Sequence, residues 1–323
     1  MDPILNPYAP GAGSPPPELA GRDDIREQVR VCLERLKLGK QAKSVLLLGL
    51  RGVGKTVLLD KMRTDAEGRG VHTIRIEAPE NKSLPALLAP QLRLALLRLS
   101  RVEAAKDLAI RGLRGLAGFA KRLKVSFADI EVGFDYEPEP GLADNGDLEG
   151  DLAALLEQVG RAAQAADTVV AMFIDELQYV AEDQLAALIS ALHRCAQQKL
   201  PVTLVGAGLP QLRGRMGEAK SYAERLFNFS EIGALSRGDA SSAITLPAKE
   251  EGVEIEPAAV DAIITETQGY PYFLQEWGKC AWEVAEASPI SAQDVEKASR
   301  EAIAALDAVS YTHLRAHETK ANL

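Results

Sequence analysis

Cysteine is scarce in this chain. Cys32, Cys195 and Cys280 lie far apart and share no C-x-x-C spacing. That argues against a disulfide framework or a cysteine-bound zinc, and it points to a reducing compartment, the cytoplasm. No apolar run approaches the roughly 18 residues that cross a bilayer, so no membrane span is expected. The opening residues, Met1-Asp2-Pro3-Ile4-Leu5, have neither a basic nor an apolar signal region, which argues against secretion. Positive charge is in deficit, with 37 Lys+Arg against 46 Asp+Glu and a net charge of −9. An acidic total excludes a surface that coats nucleic acid everywhere, though not a local basic patch. Otherwise the composition is that of an ordinary globular protein, long enough for about two domains.

What is present is a dense phosphate-binding signature. Gly49-Leu50-Arg51-Gly52-Val53-Gly54-Lys55-Thr56 reads G-x-x-x-x-G-K-T. It follows the apolar run Val45–Leu48 and precedes Val57-Leu58-Leu59, which begins a helical pattern. Strand, loop and helix therefore stand in the order such a loop requires. The glycines let backbone N–H groups curl around phosphate oxygens, and the helix points its positive end at them. Lys55 adds a point charge for the β and γ groups. The Thr56 hydroxyl is placed to ligate Mg²⁺, and Val57 continues the same turn.

A second apolar run, Val169–Ile174, ends in Asp175 and Glu176. An all-apolar strand suits the centre of a parallel sheet, whose carboxyl ends bind ligands. Asp175 is placed to hold Mg²⁺ through water, and Glu176 to polarise the water that attacks the γ-phosphoryl. Read alone, the two carboxylates could be ordinary surface acids after a buried strand. The phosphate loop tips the balance to catalysis.

Further strands are expected at 71–76, 202–205 and, more weakly, 229–232, separated by helical segments. That alternation predicts a parallel sheet covered on both faces. Residues 1–20, rich in proline and glycine, read as an extended or disordered leader. Helices are expected at 84–101, 103–124 and 148–166, with a strand or hairpin over 125–136. After residue 235 only helical stretches remain, at about 238–250, 257–267, 272–287 and 291–307, with Pro247 making the first boundary soft. The last residues, 309–323, resemble translated adapter sequence; the natural chain is expected to continue differently after about Ala308, and His313 and His317 carry no weight.

These features together resemble the AAA+ ATPases, and within them the origin-recognition-like and STAND-like branch, over about 20–308. Gly49–Thr56 matches the Walker A motif and Val169–Glu176 the Walker B motif. Ala20-Gly21-Arg22 looks like the box whose backbone borders the adenine, although Asp23 or Asp24 could equally serve as a helix cap. The resemblance implies an α/β P-loop NTPase core, three-layered αβα, at 21–235 with an insert at about 100–145, followed by an all-helical lid at 236–308. It implies ATP and Mg²⁺ as ligands and ATP hydrolysis coupled to lid movement. Arg225 is the candidate arginine finger toward a neighbouring subunit of a homo-oligomer, with Arg215 weaker; local pairing with Glu224 or capping of a helix end is the plainer reading and weighs about the same. Gly269-Tyr270-Pro271 looks like the family's G-x-P element, with Pro271 packing on the adenine. One departure stands out: Gly206-Ala207-Gly208 occupies the strand end where relatives carry a polar sensor.

The insert divides by charge. Arg98–Lys124 holds eight bases, and Asp129–Asp151 nine acids and no base. The basic helix could meet nucleic acid, an anionic surface or a partner protein, or simply face its own acidic neighbour, which is the preferred reading. Gly112, Gly115 and Gly118 weaken that helix unless it packs on something. Two outputs stay open. One is an ATPase acting on DNA through a winged-helix domain after the lid. The other is a STAND-like signalling switch with slow turnover and a protein partner.

Overall fold

The computed structural model describes residues 1–11, 16–126 and 136–304. The chain divides into two compact units: one made of Met1–Asp23, Gly52–Val57 and the segment from Gly233 onward, the other of Asp24–Arg51 and Leu58–Ile232.

The larger unit is built on five parallel strands: β1 (Ser44–Leu48), β2 (His72–Glu77), β3 (Val170–Asp175), β4 (Val202–Gly208) and β5 (Phe227–Glu231). Their order is β2-β3-β4-β1-β5. In the ladders Leu48 faces Gly208 on one side and Glu231 on the other, and Glu77 faces Asp175. The central strands β1, β3 and β4 are buried along their whole length, whereas β2 and β5 at the edges are only partly so. Continuous apolar runs suit strands covered on both faces, and mixed ones suit edges. β5 starts two residues before the expected strand because Phe227 is itself buried.

Helix α1 (Asp23–Lys37) precedes β1, and α2 (Lys55–Glu67), α3 (Leu84–Leu99), α4 (Lys106–Ser126), α5 (Leu148–Ala165), α6 (Glu182–Gln197), α7 (Leu212–Ala219) and α8 (Ala223–Leu226) connect the strands. Two starts are capped by their own sequence. Ser83 accepts from Ala86 N–H ahead of α3, and Asp147 from Gly150 N–H ahead of α5. The glycines of α4 pack rather than flex. A Cβ on Gly112 would lie 2.7 Å from Leu96 of α3, and one on Gly115 3.0 Å from Leu142. The expected strand beginning at Val125 is corrected: α4 continues through Ser126, keeping its hydrogen-bond ladder. The rest of that hairpin, apart from Tyr136, and the tail 309–323 lie outside the described residues.

The second unit contains α9 (Arg237–Glu250), α10 (Pro257–Thr267), α11 (Pro271–Val284) and a helix described from 292 to 304. Pro257 and Pro271 sit in first turns, where a missing N–H costs nothing. Pro247 does not end α9, which runs on to Glu250.

The first residues of the chain depart from the expected disordered leader. Tyr8 is buried against Gly278, donates its hydroxyl to the Ile244 carbonyl, and occupies space that a Cβ at Gly278 would take. Asn6 donates to the Lys279 carbonyl at 3.2 Å, and the Trp282 indole N–H to the Asp2 carbonyl at 2.9 Å. The prolines keep this segment extended, and burying an aromatic ring pins it down. Among the described residues no helix is long and apolar enough to cross a membrane.

Candidate functional site

β1 delivers the glycine-rich loop to the carboxyl edge of the sheet. Gly49 N–H donates to the Gly208 carbonyl at 3.2 Å, extending the β1–β4 ladder by one residue. Arg51 is exposed and donates to the Tyr179 hydroxyl at 2.8 Å. Gly52 and Gly54 then adopt φ of +79° and +86°, a region that a Cβ makes costly. Val53 between them is buried. Lys55 is the first residue of α2 and is 7% exposed; Thr56 and Val57 follow half-buried. Such a loop ahead of a helix start leaves main-chain N–H groups for an anion.

In the same unit, the Gly52 carbonyl accepts from Tyr272 N–H at 3.1 Å, one residue after Pro271. The bend that brings Pro271 there needs Gly269. Its φ is +72°, and a Cβ would meet the Leu235 carbonyl oxygen at 2.7 Å. Gly21 is similar, with φ of +68° and an Asp239 carboxylate oxygen 2.6 Å from the place of a Cβ. Arg22 donates to the Gly233 carbonyl at 2.5 Å; burial disfavours its charge, and Asp239 offsets that in part. Glu276, on the same helix as Pro271, is buried, and this raises its pKa.

The acid pair closes β3 in the larger unit. Asp175 is buried, with one carboxylate oxygen accepting from Glu176 N–H at 2.8 Å and the other 3.8 Å from the Arg75 guanidinium. Arg75 is held by Asp60 at 2.8 Å and by its donation to the Ile76 carbonyl at 2.7 Å. Glu176 has a left-handed backbone, φ 56° and ψ 35°, which turns the chain sharply into the 3-10 turn Leu177–Tyr179. Its carboxylate accepts from the Gln178 amide.

Arg215 donates to the carbonyls of Gln178 and, at 2.8 Å, Val180, so its guanidinium is engaged within its own chain. Arg225 is exposed and, among the described residues, has no side-chain hydrogen bond or ion pair; the local pairing with Glu224 does not form. Sequence reasoning passed over Arg75, Gln178 and Tyr179. The only available signal was a glutamine two positions after Glu176.

The cysteines have no part in this chemistry. All three are buried, and burial pushes the Cys195 thiol up to about 12 and the Cys280 thiol to about 11. Among the described residues no three His, Cys, Asp or Glu side chains gather as a metal cage. Taken one at a time, the Thr56 hydroxyl, half-buried, and the Asp175 carboxylate, buried, are donor types that suit Mg²⁺ held together with a nucleotide, which needs few protein ligands.

The insert's charges are partly spent on itself. Arg111 pairs with Glu139 at 3.0 Å and Arg122 donates to the Asp144 carbonyl at 3.0 Å, while Arg114 and Lys121 remain exposed.

A family model described as AAA ATPase domain matches residues 18–205. No curated protein matches the chain. Three solved structures are similar. The Walker-type ATPase paby2304 of Pyrococcus abyssi is 14% identical over 94% of this chain and 76% of that one, with a TM-score of 0.54. The Aeropyrum pernix ORC1 protein in complex with DNA is 17% identical over 88% and 66%, with a TM-score of 0.51. The Thermotoga maritima RuvB Holliday junction branch migration motor is 19% identical over 92% and 72%, with a TM-score of 0.50. At these identities the likeness concerns the fold.

Proposed function

Given that the chain belongs to the AAA ATPase domain family, we propose that it binds ATP with Mg²⁺, hydrolyses it slowly or under a partner's stimulation, and couples turnover to movement of its lid at about 236–308. The observation that carries this reading is the loop before α2. Two glycines there take positive φ directly ahead of a buried lysine at a helix start. Backbone N–H groups after Gly49, whose own N–H is taken by Gly208, cradle the phosphates as far as Val57, with Lys55 as the counter-charge. Thr56 and Asp175 would hold Mg²⁺, which when bound neutralises charge on the β and γ phosphates. Glu176 accepts the proton of the attacking water. Gly21, Arg22 and Pro271 border the adenine. Arg225, exposed and unpaired among the described residues, serves as the finger toward a neighbouring copy in a homo-oligomer.

DNA is the partner we favour. The RuvB neighbour is a branch migration motor and the ORC1 neighbour is in complex with DNA. The exposed Arg114 and Lys121 supply positive charge on α4. The alternative, a STAND-like switch with a protein partner, is favoured by the glycine end of β4 and the absence of arginine in α11.

The test is Mg²⁺-dependent ATP hydrolysis in the parent and in Glu176→Gln. Turnover is expected to vanish while ATP binding by equilibrium dialysis persists; equal turnover in the two proteins removes Glu176 from the base role. Duplex DNA should raise the parent's rate. No response to DNA, together with a rate set by a protein partner, favours the switch.

A further inference from the structure

At the exit of β4 the polar sensor of the resemblance is replaced by glycine, and the structure shows what fills the space. A Cβ on Gly206 would overlap Leu177 and lie 2.6 Å from Leu46. A Cβ on Gly208 would lie 2.7 Å from Leu212 and 2.9 Å from the Gln178 side-chain oxygen. β4 is bare there because Leu177 and Gln178, from the turn after β3, occupy the room.

Both ends of the Gln178 amide are engaged. Its oxygen accepts from Leu209 N–H at 3.1 Å, the first main-chain donor after β4. Its nitrogen donates to the Glu176 carboxylate. Arg215 fixes the turn by holding the Gln178 and Val180 carbonyls. Gln178 is itself buried, which strengthens both of these hydrogen bonds. The acceptor bond from Leu209 also sets which end of the amide faces Glu176, because only the nitrogen end can donate.

We infer that Gln178 is a positioning residue for hydrolysis. It anchors one oxygen of the Glu176 carboxylate to the main chain leaving β4 and leaves the other to act as base. The inference rests on the reading of Glu176 given above. In the step it serves, the water oxygen bonds to the γ-phosphorus. The bond from that phosphorus to the bridging oxygen breaks, ADP leaves with the bonding pair, and the water's proton passes to the free Glu176 oxygen. A carboxylate on a single left-handed residue has rotamer freedom to lose; the amide removes it before the reaction begins. The polar group at the end of β4 is thus lent by the neighbouring segment rather than encoded in the strand.

The experiment compares Gln178→Leu, Gln178→Asn and Glu176→Gln in the full chain, measuring kcat, KM for ATP and thermal unfolding. Gln178→Asn keeps the amide but shortens its reach by one methylene, so it tests position with little risk to folding. Both Gln178 variants are expected to lose roughly ten- to a hundredfold in kcat with KM unchanged; Gln178→Asn should unfold close to the parent, while Gln178→Leu, which strands the Leu209 N–H, should melt lower without the loss of kcat tracking that shift. The inference fails if either variant keeps kcat within about twofold of the parent while Glu176→Gln is inactive. It also fails if kcat falls only in step with lost stability or a raised KM. If Glu176→Gln turns over as the parent does, the base assignment itself fails and takes this inference with it.

Discussion

Two regions use glycine for opposite reasons. In the glycine-rich loop before α2, Gly54 has φ of +86° and nothing within 4 Å of where a Cβ would stand. The residue is there for its backbone angle. On α4, Gly112 has ordinary helical geometry, but a Cβ would press on Leu96, which is fully buried. That residue is there for its missing volume. The first kind of glycine keeps main-chain donors available to a ligand; the second lets two helices approach. One should therefore govern nucleotide binding and the other stability.

Substitutions can break that division. The largest effect is expected for Gly54→Val. Nucleotide affinity should fall on the order of a hundredfold or more as the N–H cradle is lost, while unfolding shifts by only about 1–2 kcal/mol of backbone strain. Titration with a fluorescent ATP analogue beside calorimetry measures both. Gly112→Val comes next, with about 1–3 kcal/mol lost to overpacking and affinity unchanged in the folded protein. A matching loss of affinity would show that the insert is coupled to the phosphate loop and would end the distinction.

The smallest effect sharpens it from a third direction, a buried charge. Burial raises the Glu276 pKa, with Lys279 opposing and Glu283 adding to the shift. A carboxyl whose folded pKa lies above its unfolded value favours folding when protonated. Its destabilising influence is thus absent below the unfolded pKa and grows as pH rises toward and through the folded one. Glu276→Gln should melt a few degrees higher than the parent at pH 8 and at the same temperature near pH 4. No difference at pH 8 would mean that the carboxylate is compensated where it sits.

Much of the parallel sheet was legible because its central strands are unbroken apolar runs, as in Val45–Leu48 and Val169–Ile174, and need no partner to be identified. The glycine-rich turn into α2 was legible because its residues are contiguous. Legibility fails where a residue's reason lies far along the chain. Gly208 answers to Gln178, thirty positions earlier, and Tyr8 to Ile244 and Gly278. Proline content marked residues 1–11 as extended, but composition could not reveal the helices they lie on. At Val125 the alternating pattern favoured a strand, whereas α4 carries its helical hydrogen bonding through Ser126. Local pattern yielded there to continuation of an existing helix.

The strand order also governs how the chain can be made. β1 emerges first, yet both of its neighbours, β4 and β5, are encoded far downstream. At roughly 5–20 residues per second, a ribosome takes on the order of ten to thirty seconds to travel from Leu48 to Val202. Throughout that interval Val45–Leu48 is an unpaired greasy ribbon. Truncation before β4, which leaves β1 without either neighbour, should yield aggregates rather than a smaller folded domain.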